Sequence, residues 1–92
     1  MREDAELLNA FVTKRDETSF RELVDRRIGF VHAVNRRRLR DPHLAQDATQ
    51  AVFIALARKA ASVARCPSVM GWLHRSACYE SFNLMRAQTK RL

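Results

Sequence analysis

Glycine and proline are scarce in this chain, two of each among 92 residues. Tight turns have few places to form, which argues for long helices with few connections. Cysteine also numbers only two. Cys66 and Cys78 lie on separate segments, with no Cys-x-x-Cys and no histidine at ligand spacing, so the pattern is not that of a zinc site. No signal peptide and no apolar run long enough to cross a bilayer can be read, so the chain is expected to be neither secreted nor membrane-spanning. A cytoplasmic location with reduced thiols follows. Acidic residues are scarce beyond Asp25, where only Asp41, Asp47 and Glu80 remain of ten in all.

What is present is apolar and basic. Some 47% of the residues are hydrophobic, which suits a globular chain rather than a disordered one. The length allows one small domain, residues 1–92, with a modest core. The net charge is +7, from 17 basic and 10 acidic residues. The positive charge gathers in Arg36, Arg37, Arg38 and Arg40, and again from Arg65 to Arg91. Such concentration is the electrostatic footprint of a nucleic-acid or acidic-surface binder, and equally suits solvated helix faces.

Four helical segments are expected. The first spans Asp4 to Lys14, with Leu7, Leu8, Phe11 and Val12 on one stripe. Thr18 or Ser19 is expected to cap the second, with Glu22 completing a capping box to Ser19. That helix runs from about Phe20 to Arg40. Phe20, Leu23, Val24, Ile28, Val31 and Val34 take the spacing of a core-facing stripe. Gly29 inside it predicts close packing against a neighbour, since glycine there costs about 1 kcal/mol relative to alanine. Asp41 as N-cap and Pro42 as first helical residue open the third helix, which continues to about Ser62. Ala45, Ala48, Val52, Leu56 and Phe53 form its inner stripe. Val63 to Ser68 reads as a loop, and Ser68 as the N-cap of a fourth helix reaching Lys90. On that helix Trp72, Leu73, Ala77 and Leu84 look inward.

Two surfaces draw notice. Arg75, Tyr79, Phe82, Arg86 and Lys90 follow three-four spacing on one face of the last helix. Cations neutralise phosphates, and aromatic rings offer stacking platforms for unpaired bases. Phe82, a lone phenylalanine, is expected inside and Tyr79 half-buried. Gln46, Asp47, Gln50, Ile54 and Arg58 share a surface of the third helix, with short polar groups around an apolar centre as at a protein interface. Periodicity alone reads that surface as a mixed solvent face. No catalytic set emerges. Asp47 lacks a paired carboxylate, His32, His43 and His74 lie on different segments, and no glycine-rich phosphate loop exists. Neither an enzyme nor a metal or other cofactor is expected.

The stretch Ala45-Gln-Asp-Ala-Thr-Gln-Ala-Val-Phe-Ile-Ala-Leu-Ala-Arg58 is similar to the hallmark helix of bacterial RNA polymerase sigma factors. Gly71-Trp-Leu-His-Arg-Ser-Ala77 resembles the start of their promoter-reading helix, and Phe20-Arg-Glu-Leu-Val-Asp-Arg26 their preceding helix. The form without insertions resembles the extracytoplasmic-function class. The resemblance implies the domain called region 2, an all-α bundle of three main helices plus a short N-terminal one. It implies binding to RNA polymerase core, on the clamp helices of the largest subunit, and recognition and melting of the minus-ten promoter element on its non-template strand.

By position, Gln46, Asp47, Gln50, Ile54 and Arg58 match the polymerase-contacting face. The loop carrying Arg65 and Ser68 matches the segment that captures a base flipped from the non-template strand. Arg75, Tyr79, Asn83, Arg86 and Lys90 fall on the helix used near that strand. An anti-sigma factor is a possible further partner. A sigma-like adaptor without DNA activity is the alternative reading. Ala51, Ala57, Tyr79 and Asn83 depart from the pattern, Ala57 replacing a large aromatic and so thinning the expected core. The second DNA-binding domain of such proteins, region 4, is absent from these 92 residues, and the chain is expected to be a fragment.

Overall fold

Asp16 starts one of the two longest helices, and the way it does so differs from the sequence expectation. In the computed structural model, which describes residues 2–90 and side chains as far as Thr89, the Asp16 carboxylate accepts hydrogen bonds from the backbone N–H groups of Thr18 and Ser19. Asp16 is therefore the N-cap of this helix, and neither Thr18 nor Ser19 is. Ser19 instead donates its hydroxyl to Asp16 Oδ2 at 2.7 Å. A carboxylate satisfies two orphan amide donors at the positive end of the helix, where a hydroxyl satisfies one.

Five helices follow in order: α1 (Asp4–Lys14), α2 (Glu17–Arg38), α3 (Pro42–Arg58), α4 (Ala60–Ala64) and α5 (Val69–Lys90). The all-α architecture, three long helices with a shorter one before them, is as expected. The extra element is α4. The third helix does not run on to Ser62 but breaks at Lys59 (φ −110°, ψ 16°), and one further turn carries Ala60 and Val63 inward. The connecting loop is accordingly shorter than expected and begins at Arg65. The predicted start of α3 holds: Asp41 accepts from the His43 N–H at 2.8 Å, with Pro42 in the first turn. Ser68 caps α5 through its hydroxyl, which accepts from the Gly71 N–H at 2.9 Å.

The helices α2, α3 and α5 pack on one another, with α1 and α4 closing one end. Leu7, Leu8, Leu23, Leu56 and Leu73 are fully buried at their centre. Each such side chain contributes roughly 1.5–3 kcal/mol by leaving water. Asp4 fastens α1 to α2 by ion pairs to Arg26 (3.0 Å) and Arg27 (2.8 Å).

Several residues expected to be buried or half-buried lie elsewhere. Ile28 is 45% exposed and Phe82 48% exposed. Tyr79 is 64% exposed rather than half-buried. A Cβ at Gly29 would meet nothing within 4 Å, so no neighbour packs there. Ala57 is exposed as well, and its small side chain shapes the surface rather than the core. Apolar spacing marks a face of a helix, and the ends of a stripe extend past the area that neighbouring helices cover.

Candidate functional site

Two of the long helices leave an apolar furrow between them. Phe20, Val24 and Ile28 of α2 form one wall, while Gln50, Phe53, Ile54 and Ala57 of α3 form the other. The furrow encloses about 460 Å³. Ala57 contributes only a methyl group to this wall, on the side shared with Phe20. The furrow continues past Ala57 into a second depression lined by Phe11, Val12, Arg58 and Ala61. Phe11 and Phe20 hold the junction with ring centroids 4.6 Å apart.

Of the α3 residues singled out by sequence, Gln50 and Ile54 line the furrow and Arg58 lines its extension. Gln46 and Asp47 are exposed one turn before Gln50 and do not themselves line the furrow. Ile54 is 53% exposed at the centre. The apolar wall from α2 is the part that sequence reasoning missed, because Phe20, Val24 and Ile28 carry the same period as true core positions. An apolar centre with a rim of amides and charges is the anatomy of a protein-binding surface.

A different face belongs to α5 alone. Arg75, Tyr79, Phe82 and Arg86 are all exposed along it, and Asn83 is partly so. The guanidinium carbon of Arg86 lies 5.8 Å from the centroid of the Phe82 ring. That spacing is within cation–π range, so the ring and the charge form one unit. Phe82 thus belongs to the exposed α5 stripe instead of the core. Lys90 ends α5, and its side chain lies outside the described residues.

The start of α5 adds a second element to this face. A Cβ at Gly71 would stand 3.3 Å from Arg75 Nη1 and 3.4 Å from the Ser68 side chain. Glycine therefore leaves room for Arg75 to fold back beside Ser68, which brings two predicted residues together. Gly71 was not itself singled out, although its position between them is visible in the sequence. Ser68, with Cys66, Pro67, Val69 and Met70, also borders a cleft of about 400 Å³ closed on its other side by α1 and α2. Arg2, Asp4, Arg26 and Arg27 line that far wall, another contribution absent from the expected set. Arg65 is exposed and does not line the cleft.

No group of three or more His, Cys, Asp or Glu capable of holding a metal occurs among the described residues. His74 Nδ1 stands 4.0 Å from Cys78 Sγ, one helical turn away on α5, a histidine neighbour that the sequence reading did not assign to either cysteine. No described helix is long and apolar enough to cross a membrane.

The sequence model of Sigma-70 region 2 matches residues 23–91. No curated protein and no solved structure matches.

Proposed function

Since this chain belongs to the sigma-70 region 2 family, and so to proteins of transcription initiation, we propose that it acts as a sigma factor domain of the extracytoplasmic-function class. In this reading the α2–α3 furrow seats the clamp helices of the largest subunit of RNA polymerase core. Gln46, Asp47 and Gln50 supply polar contacts at the rim, and Ile54 and Arg58 extend them. The α5 face then takes the minus-ten non-template strand of promoter DNA.

The observation that carries this reading is the separation of the two surfaces. The furrow is built by α2 and α3, whereas the basic-aromatic stripe is built by α5. One body can therefore hold an apolar protein partner and a polyanion together. On α5, Arg75 and Arg86 hold phosphates, while Tyr79 and Phe82 are open for stacking, which contributes roughly 1–3 kcal/mol per base. Asn83 offers amide hydrogen bonds to a base edge. The Ser68 cleft is the place for an extruded base, with Arg65 at its approach and Lys90 extending the basic stripe.

The chemistry is non-enzymatic. Binding the unpaired strand more tightly than the duplex shifts the equilibrium towards the melted promoter. The domain works in the cytoplasm with no metal or cofactor, and an anti-sigma factor would compete for the furrow.

The test is binding of a fluorescent minus-ten non-template oligonucleotide as a function of salt, with the clamp fragment present. A negative salt slope together with preference for one sequence is the expected result. Clamp binding without any affinity for the strand would establish an adaptor instead. A salt slope without sequence preference would mark a nonspecific basic binder.

A further inference from the structure

The last turn of α2 and the link to α3 carry Arg36, Arg37, Arg38 and Arg40, all exposed. The negative end of the helix dipole favours a cation in the last turn. It does not account for four, one of them beyond the helix end. None of the four forms an ion pair among the described residues, where the ion pairs belong to Arg26 and Arg27. Arg36 turns back to donate to the carbonyl of Arg40 at 3.1 Å. The side chains of Arg37 and Arg40 make no hydrogen bond or ion pair among the described residues.

The position of this cluster is set by α5. Phe30 faces His74, Asn35 reaches Ala77, and Arg38 Nε donates to the buried Ser81 hydroxyl at 2.8 Å. Contacts advance in the same direction on both helices, so α2 and α5 run parallel. The arginines consequently lie level with Ser81, immediately before Phe82 and Arg86. From there α5 continues to Lys90 with no fully buried residue among those described.

We propose that Arg36, Arg37 and Arg40 form a second phosphate-binding site, one that holds the backbone of double-stranded DNA flanking the single strand on α5. The proposal rests on the reading of α5 as the single-strand surface. Two features point to duplex. The exposed large apolar side chains are Val12, Ile28, Ile54, Tyr79 and Phe82, none within the cluster, so it offers charge without a stacking platform. A duplex presents one charge per roughly 1.7 Å of its axis, about twice the density of one strand, which suits guanidinium groups crowded into one turn. Arg38, engaged with Ser81, ties the end of α2 to α5 and so fixes the cluster beside the α5 face.

The test compares the salt dependence of binding to two DNAs, the minus-ten non-template strand alone and the same strand carrying a duplex arm. Arg37→Gln/Arg40→Gln is the informative variant, because neither side chain supports the fold. On the arm-bearing DNA its slope of log affinity against log salt is expected to fall by about 0.9 per arginine removed. Binding to the bare strand is expected to stay at the wild-type level, and Arg37→Lys/Arg40→Lys to keep the wild-type slope on both DNAs. Equal loss on both DNAs, or no change on either, overturns the proposal. Loss of clamp binding with both slopes intact overturns it in favour of an acidic protein surface. Should Arg75→Ala leave strand binding untouched while the arm-dependent slope still falls, the α5 reading fails and this site stands.

Discussion

The side-chain amide of Asn35 donates to the backbone carbonyl of Ala77 at 3.0 Å, in the buried junction where α2, α3 and α5 meet. In the same orientation its oxygen lies 3.0 Å from the Thr49 hydroxyl and 3.2 Å from the Thr49 backbone nitrogen. One fully buried polar side chain thus ties the furrow-bearing pair of helices to α5. Replacing it by alanine leaves a cavity and removes the side-chain bridge from α2 to α3 and α5, while the Thr49 hydroxyl keeps its bond to the Ala45 carbonyl. Asn35→Ala is expected to cost about 1–3 kcal/mol. For a domain of this size, each kcal/mol lowers the melting midpoint by roughly 4–8 °C. Calorimetry or thermal circular dichroism measures this directly, and an unchanged midpoint would show the junction to be dispensable.

Gly29 offers the opposite experiment. It sits inside α2 with open space where a Cβ would go. Gly29→Ala removes backbone freedom from the unfolded chain and adds no clash, so stability should rise by up to about 1 kcal/mol. Thermal unfolding checks it, with binding to both partners unaltered.

The cap of α2 makes stability depend on pH. The Ser19 hydroxyl bond, with the Ser19 and Thr18 amides and the nearby Arg2 charge, holds the Asp16 carboxyl below its ordinary value of 3.8, against the opposing effect of desolvation. A carboxyl depressed in the folded state stabilises in full above that ordinary value. The contribution is lost as pH falls through the depressed value. Asp16→Asn keeps a competent cap. It should therefore flatten the acid limb of a plot of melting midpoint against pH, leaving the neutral region nearly unchanged. Identical acid limbs for both proteins would remove Asp16 from the account.

Much of the fold is legible in the sequence, for physical reasons that can be named. Asp41 followed by Pro42 marks a helix start because a carboxylate cap and a fixed φ suit that position alone. The bounds of α1 follow from its leucine stripe. The break at Lys59 is not legible: no glycine or proline marks it, and alanines on both sides favour continued helix. Burial is the other gap. Val24, Ile28 and Phe20 obey the same period as Leu23 and Val31, and only the positions of α1 and α3 decide which of them a neighbour covers. Hence the Gln50–Ile54–Arg58 side of the furrow is readable from spacing and resemblance, whereas its α2 wall is not. Phe82 was expected inside for its chemistry, yet α5 runs beyond the helices that would bury it.

The most direct test of the central claim, that protein and DNA are held by separate surfaces, is one crossed binding measurement. Wild type, Asp47→Arg and Arg75→Ala are titrated against a clamp-helix fragment and, separately, against the minus-ten non-template oligonucleotide. Asp47→Arg is predicted to lose at least about tenfold in clamp affinity, about 1.4 kcal/mol, while keeping its affinity for the strand. Arg75→Ala is predicted to weaken strand binding and leave clamp binding as in wild type. If each variant loses both ligands together, or neither loses either, the division between the α2–α3 furrow and α5 is contradicted.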